Sequence, residues 1–106
     1  MSLHDIDAMP SKTIAPGFHA KIFHTETMTF SYVNVDAGAT LPPHSHPHEQ
    51  ISKLISGEFD LIVDGETIPL TPGNAYAIPS NVPHTGKAHT ECVILDIFSP
   101  VREDMK

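Results

Sequence analysis

His44-Ser45-His46-Pro47-His48-Glu49-Gln50 places three imidazoles, a carboxylate and an amide within seven residues. Neutral imidazole is the commonest protein ligand for divalent transition metals, and side-chain oxygens can complete such sites. Side chains alternate between faces in an extended segment, so His44 and His46 put two rings on the same side. The chemistry implied is a metal centre built on β-structure, with its remaining ligands on other strands.

Asp96 is conspicuous for its neighbours. In Val93-Ile94-Leu95-Asp96-Ile97-Phe98 both alternating faces are largely apolar, which implies a strand buried on both sides. A carboxylate there is costly without a partner. Either Asp96 has one, or its pKa is raised for chemistry. The single cysteine, Cys92, lies in the same apolar run and cannot form an internal disulfide. It reads as a small buried side chain.

The elements that must position these groups are strands. Ten prolines spread along the chain leave little room for a long helix. Strands are expected at 18–23, 27–35, 50–55, 58–63, 66–70, 74–78 and 91–98. In the second of these, Met28, Phe30 and Tyr32 share one face, and Thr29, Ser31, Val33 and Val35 the other. Asp64-Gly65 between two such runs is a two-residue hairpin signal. Short strands at near-regular spacing indicate an all-β fold, and a small antiparallel jelly-roll barrel would leave an inner cavity for the histidines.

A chain of 106 residues suits one domain, with residues 1–12 expected as a loosely ordered arm. Thirteen acidic residues against six Lys and Arg give a formal net charge of −7, which argues against nucleic acid or anionic membranes as partners. No apolar run is long enough to cross a membrane as a helix, and the N-terminus lacks the apolar stretch of a signal peptide. A cytoplasmic setting is expected.

Two patterns resemble the motifs of the cupin family. The first is Gly38, His44-Ser45-His46, Gln50 and Gly57; the second is Gly73, Pro79-Ser80-Asn81 and His84. The resemblance implies a double-stranded β-helix barrel and one divalent transition metal (Ni, Mn, Fe, Co, Zn or Cu) held by His44, His46, Gln50 and His84. Gln50 stands where most cupins have Glu, which makes the site more positive and favours an anionic substrate. Asn81 replaces a Gly, a change that a turn tolerates. Ala88 replaces a final Asn that is not a ligand. His48 is no ligand position in the pattern and is expected either behind the ligands or in the cavity wall. His4, His19, His24 and His89 match no motif and are expected at the surface.

The stretches His44 to Ile51 and Leu95 to Asp104 are further similar to the KdgF-type cupins of pectin and alginate catabolism. That resemblance implies ring opening of 4,5-unsaturated uronate monosaccharides to linear 5-keto-4-deoxyuronate. It assigns catalysis to Asp96, substrate-carboxylate binding to Arg102, and a substrate-packing wall to Phe98. A small sugar acid is the expected partner, and a homodimer the expected assembly. The competing readings are another metal-dependent cupin enzyme, a dioxygenase or isomerase, and a non-catalytic sugar-binding or storage cupin.

Overall fold

Period-two alternation decides which face each strand buries. The computed structural model describes residues 1–106, and its strands follow that rule. They are β1 (Lys12–Ala15), β2 (Phe18–His24), β3 (Thr29–Val35), β4 (Glu49–Ser56), β5 (Phe59–Val63), β6 (Glu66–Leu70), β7 (Ala75–Ile78), β8 (His84–Ala88) and β9 (Cys92–Ser99), followed by a 3-10 turn at Glu103–Met105. In β3 the residues Thr29, Ser31, Val33 and Val35 are buried, as the alternation requires.

The strands form two antiparallel sheets. One has the order β1-β2-β3-β9-β4-β7, the other β6-β5-β8. The chain from Gly38 to His44 runs beside β8 and extends the second sheet, through backbone hydrogen bonds of Gly38, Leu41 and His44 to Ala88, Gly86 and His84. The result is the expected jelly-roll barrel. No helix is long and apolar enough to cross a membrane.

The interior is graded along the barrel. Register sets Ile94 beside Val33 and Leu54, and Cys92 beside Val35. With Phe18, Phe59 and Leu61 these make an apolar core at one end. Two residues further along β9, Asp96 lies between Ser31 and Ser52, and Phe98 lies between Thr29 and Gln50. The other end is therefore lined by polar groups. The surroundings of Asp96 are apolar along its strand, as expected, but not across it.

Several elements depart from expectation. Strands β1 and β8 are absent from the pattern-based reading, because neither Lys-Thr-Ile-Ala nor His-Thr-Gly-Lys-Ala alternates clearly. β3 starts at Thr29, since the Thr25 hydroxyl accepts from the N–H groups of Thr27 and Met28 and closes a turn. Residues 1–10 form no strand, though His4 stacks on Phe23 at 4.0 Å. The Asp64-Gly65 hairpin forms, with φ of 49° and 81° at its two central residues.

Gly57, the last glycine of the first motif, has φ of +96°, and a Cβ there would lie 2.3 Å from the Glu91 carbonyl oxygen and 2.8 Å from Cys92 Sγ. Gly65 has φ of +81° with nothing within 4 Å of a Cβ. Gly57→Ala should therefore cost backbone strain plus overpacking, about 3 kcal/mol. Gly65→Ala should cost the strain alone, about 1 kcal/mol. Urea denaturation of the two variants measures the difference.

Candidate metal centre

Backbone pairing brings the two motifs together. His44 and His84 exchange both N–H···O=C bonds, at 3.0 and 2.8 Å, as an isolated antiparallel bridge. The Asn81 N–H donates to the His46 carbonyl at 2.8 Å, from a residue at φ 62°. Asn81 thus adopts the left-handed geometry expected of it. The Ser80 hydroxyl also donates to the Pro47 carbonyl. His44 and His46 do not lie on one strand, as the two-residue spacing suggests. They occupy the segment leading into β4, and the prolines at 42, 43 and 47 prevent a continuous ladder there.

The rings still converge. A nitrogen from each of His44, His46 and His84 lies within 4.8 Å of the others. Ring centroids are 4.3 Å apart for His44 and His84, and 5.0 Å apart for His46 and His84. Each Nδ1 lies 2.9–3.0 Å from a backbone carbonyl, that of Pro42, His48 or Val82 respectively. A carbonyl only accepts, so each Nδ1 carries the proton and each Nε2 presents a lone pair.

Gln50 completes the arrangement from β4. Its Nε2 donates to Ser52 Oγ at 2.9 Å and to Asp96 Oδ1 at 3.2 Å. That orients its Oε1 toward His46 Nε2, 3.1 Å away. Two acceptors then face each other. Rotating the amide would instead set its oxygen against Asp96.

These donor atoms fit a divalent cation. His84 Nε2 is buried and has no hydrogen-bond partner, which is unfavourable in a neutral site. Three imidazole Nε2 atoms and one amide oxygen make a donor set suited to first-row transition metals. Nδ1–H donation to carbonyls orients such ligands and raises their basicity. His48 stays outside the group; its ring packs 5.5 Å from that of His46, and its Nδ1 is buried without a partner. Glu49 is exposed.

The remaining expected residues gather around this cluster. Asp96 accepts from Ser52 Oγ at 2.6 Å as well as from Gln50. Burial nevertheless pushes its carboxyl pKa up, against those two hydrogen bonds. Arg102 lies with its guanidinium carbon 4.8 Å from the centre of the Phe98 ring. That ring meets His46 edge-on at 5.6 Å. A cavity of about 50 Å3 between the sheets is bordered by His44, His84, Gln50, Ser52 and Asp96. An outer mouth of about 440 Å3 shares His44, Gln50 and Asp96 with it and adds Phe98, Arg102 and Met105. Asp96 thus has both a partner and a raised pKa, the two alternatives left open by the sequence.

Pattern reading missed Ser52 and Thr29. Ser52 was findable, since it shares the parity of Gln50 and Leu54 and so faces inward. Thr29 is fully buried; its hydroxyl bonds His24 Nδ1 at 2.8 Å and accepts from the Arg102 N–H at 2.8 Å. His24 is accordingly half-buried rather than a free surface residue.

Comparison with known proteins identifies the family and the fold. Residues 31–98 match the cupin domain family. The chain is 32% identical over 101 residues to the pectin degradation protein KdgF of Dickeya dadantii (strain 3937), covering 92% of each. Among solved structures it resembles KdgF from Halomonas sp., with a TM-score of 0.93 and 32% identity over 100% of this chain and 99% of that one. An RmlC-like cupin from Shewanella frigidimarina NCIMB 400 has the same TM-score at 28% identity, over 100% and 96% of the two chains.

Burial, and secondly the Arg102 charge, holds the His46 pKa below its ordinary value; burial does the same for His84. Both groups therefore bind protons more readily in the unfolded chain. Their contribution to stability is full above the unfolded value of about 6.5 and declines as pH falls through it toward their folded pKa values. In an Asp96→Asn background, which removes the opposing contribution of the carboxyl whose pKa burial raises, urea denaturation of metal-free protein should show a lower midpoint at pH 5.5 than at pH 7.5. A His46→Gln/His84→Gln double variant should lose most of that pH dependence.

Proposed function

The chain belongs to the cupin family, and on that premise we propose that it opens the ring of 4,5-unsaturated uronate monosaccharides, yielding linear 5-keto-4-deoxyuronates. The setting is the breakdown of pectin or alginate. The observation that carries this reading is the full-length likeness to KdgF, a pectin degradation protein, in a chain whose Asp96 and Arg102 border the same mouth as His44 and Gln50.

The proposed ligands are His44, His46, Gln50 and His84, for one divalent transition metal. When bound, the ion would supply Lewis-acid polarisation of substrate oxygens. The chain's own groups account for orientation and proton movement. Arg102 would receive the substrate carboxylate, since guanidinium pairs with carboxylate through two parallel N–H···O bonds. Such a clamp fixes the ring over the histidines and lowers the entropy cost of reaction.

The proposed reaction is an isomerisation. The anomeric hydroxyl loses a proton, its oxygen becomes the aldehyde, and the bond from the anomeric carbon to the ring oxygen breaks. C5 becomes a ketone and C4 gains a proton. Asp96 would take the first proton or deliver the second. Its raised pKa suits a group that must hold a proton between those steps. Ser52 and Gln50 hold its carboxylate in place. Phe98, only 4% exposed, would serve as the wall beneath Arg102. An acidic chain can receive an anion here because Arg102, the histidines and a bound cation set the local potential.

A homodimer belongs to the same reading. Ile51 is 49% exposed and Met28 45% exposed on the outer side of the six-stranded sheet, where a second copy would cover them. Sedimentation at micromolar concentration should give twice the monomer mass, and a monomer there argues against it.

The main experiment follows loss of the enol-ether absorbance of an unsaturated galacturonate or mannuronate mixed with metal-loaded protein. Acceleration over the spontaneous reaction, unchanged without oxygen, is expected; no acceleration rejects the reading. Asp96→Asn should retain its metal and lose about 10²-fold or more in kcat.

A further inference from the structure

Arg102 carries five N–H donors, and the protein engages only part of them. Nε and Nη2 donate to the two carboxylate oxygens of Asp104, at 3.0 and 2.8 Å. The guanidinium carbon lies over the Phe98 ring. The backbone N–H is tied to the buried Thr29 hydroxyl. No protein acceptor reaches Nη1, and Arg102 borders the mouth together with Asp96 and His44. One edge of the guanidinium is thus engaged, and the Nη1/Nη2 edge is left for another oxyanion.

We propose that Asp104 is a positioning residue, which holds Arg102 over Phe98 so that its Nη1/Nη2 edge receives the substrate carboxylate. This rests on the uronate reading above. Arg102 follows the last strand, on a segment that ends in a single 3-10 turn. A long cationic side chain there would otherwise extend into water. Its side chain is instead only 12% exposed, although that of Asp104 is 60% exposed. The Arg102 hydrogen bonds hold the Asp104 carboxyl down at a pKa of about 2, so it is ionised at neutral pH.

Two effects of Asp104 on an anionic substrate oppose each other. Its charge repels the substrate, and its grip orders the guanidinium beforehand. The charge is largely exposed to water and salt, so repulsion is screened. Immobilising a flexible side chain in advance of binding has the larger effect. The net effect of Asp104 is therefore to tighten substrate binding, with little influence on the bond-breaking step.

The test is steady-state kinetics of Asp104→Ala and Asp104→Glu in metal-loaded full-length protein, with an unsaturated galacturonate as substrate. Asp104→Ala should raise KM roughly three- to tenfold, with a much smaller change in kcat. Asp104→Glu, which keeps the carboxylate, should recover part of that loss. In 15N-labelled, zinc-loaded protein the Arg102 Nε–H resonance should be sharp in the wild type and broadened by exchange in Asp104→Ala. A lower KM in Asp104→Ala would show instead that Asp104 competes with the substrate, and an unchanged KM or an unchanged resonance would show that Arg102 needs no such support; any of these overturns the proposal. Wild-type inactivity would reject the uronate reading alone. Calorimetric binding of glucuronate to wild type and Asp104→Ala would then decide the positioning role: weaker binding by the variant supports it, and equal or tighter binding overturns it.

Discussion

The antiparallel bridge between His44 and His84 is the constraint on which the site depends. It joins residues forty apart in sequence through two backbone hydrogen bonds. Neither residue needs its ring for this contact. The rings are then free to project from adjoining backbones, 4.3 Å apart between centroids. His46 is fixed to the same frame by the Asn81 N–H. Side-chain convergence is therefore inherited from main-chain pairing, which is cooperative and insensitive to what the rings later bind. The carbonyls that fix the three Nδ1 protons belong to residues two positions away in sequence, so local backbone shape also sets the tautomers.

The barrel supports this polar arrangement because its stability resides elsewhere. Phe18, Val33, Leu54, Phe59 and Ile94 close the apolar end. Along β9 the inward residues run Cys92, Ile94, Asp96 and Phe98, and the change from core to site occurs within one step of that series. At the step, Ser31 and Ser52 flank Asp96 across the sheet. Their small hydroxyl side chains leave space for a cavity and avoid a wholly apolar wall around the carboxylate. A bulky apolar residue at either position would help the core and leave Asp96 with less support. Stability and chemistry thus occupy successive rows of the same sheets.

Much of this was legible in the sequence, and the reasons differ by element. Strong alternation located β3, and Asp64-Gly65 located the β5–β6 hairpin, because both depend on local chemistry. The parity of β9 placed Asp96 and Phe98 on one face. β8 was not legible, because its inward residues are His84, Gly86 and Ala88, none of which announces a core strand. Gly86 is small for a reason only the packed structure reveals: a Cβ there would meet the Phe59 ring at 2.3 Å. The histidine spacing suggested a shared strand face, whereas backbone pairing across the barrel brings the rings together. Ser52 follows from parity once β4 is known, but the Arg102–Asp104 contact depends on a turn after the last strand, which no periodic pattern encodes.

Gln50 illustrates how a departure from a family pattern acquires a physical reason. Its amide has an acceptor on one side and a donor on the other. The oxygen faces the imidazole lone pairs, and the nitrogen donates to Ser52 and Asp96. A Glu at this position would place a second carboxylate oxygen about where Gln50 Nε2 now stands, 3.2 Å from Asp96 Oδ1. Two carboxylates so close cannot both ionise without strong mutual repulsion. Burial already disfavours the charged form of Asp96. Glu would gain charge attraction toward a cation and lose the hydrogen bond that holds Asp96. Gln keeps an oxygen beside His46 and supplies an N–H to the neighbouring carboxylate. The neutral amide is thus tied to the presence of an acid at Asp96, and the two positions are best understood as one unit.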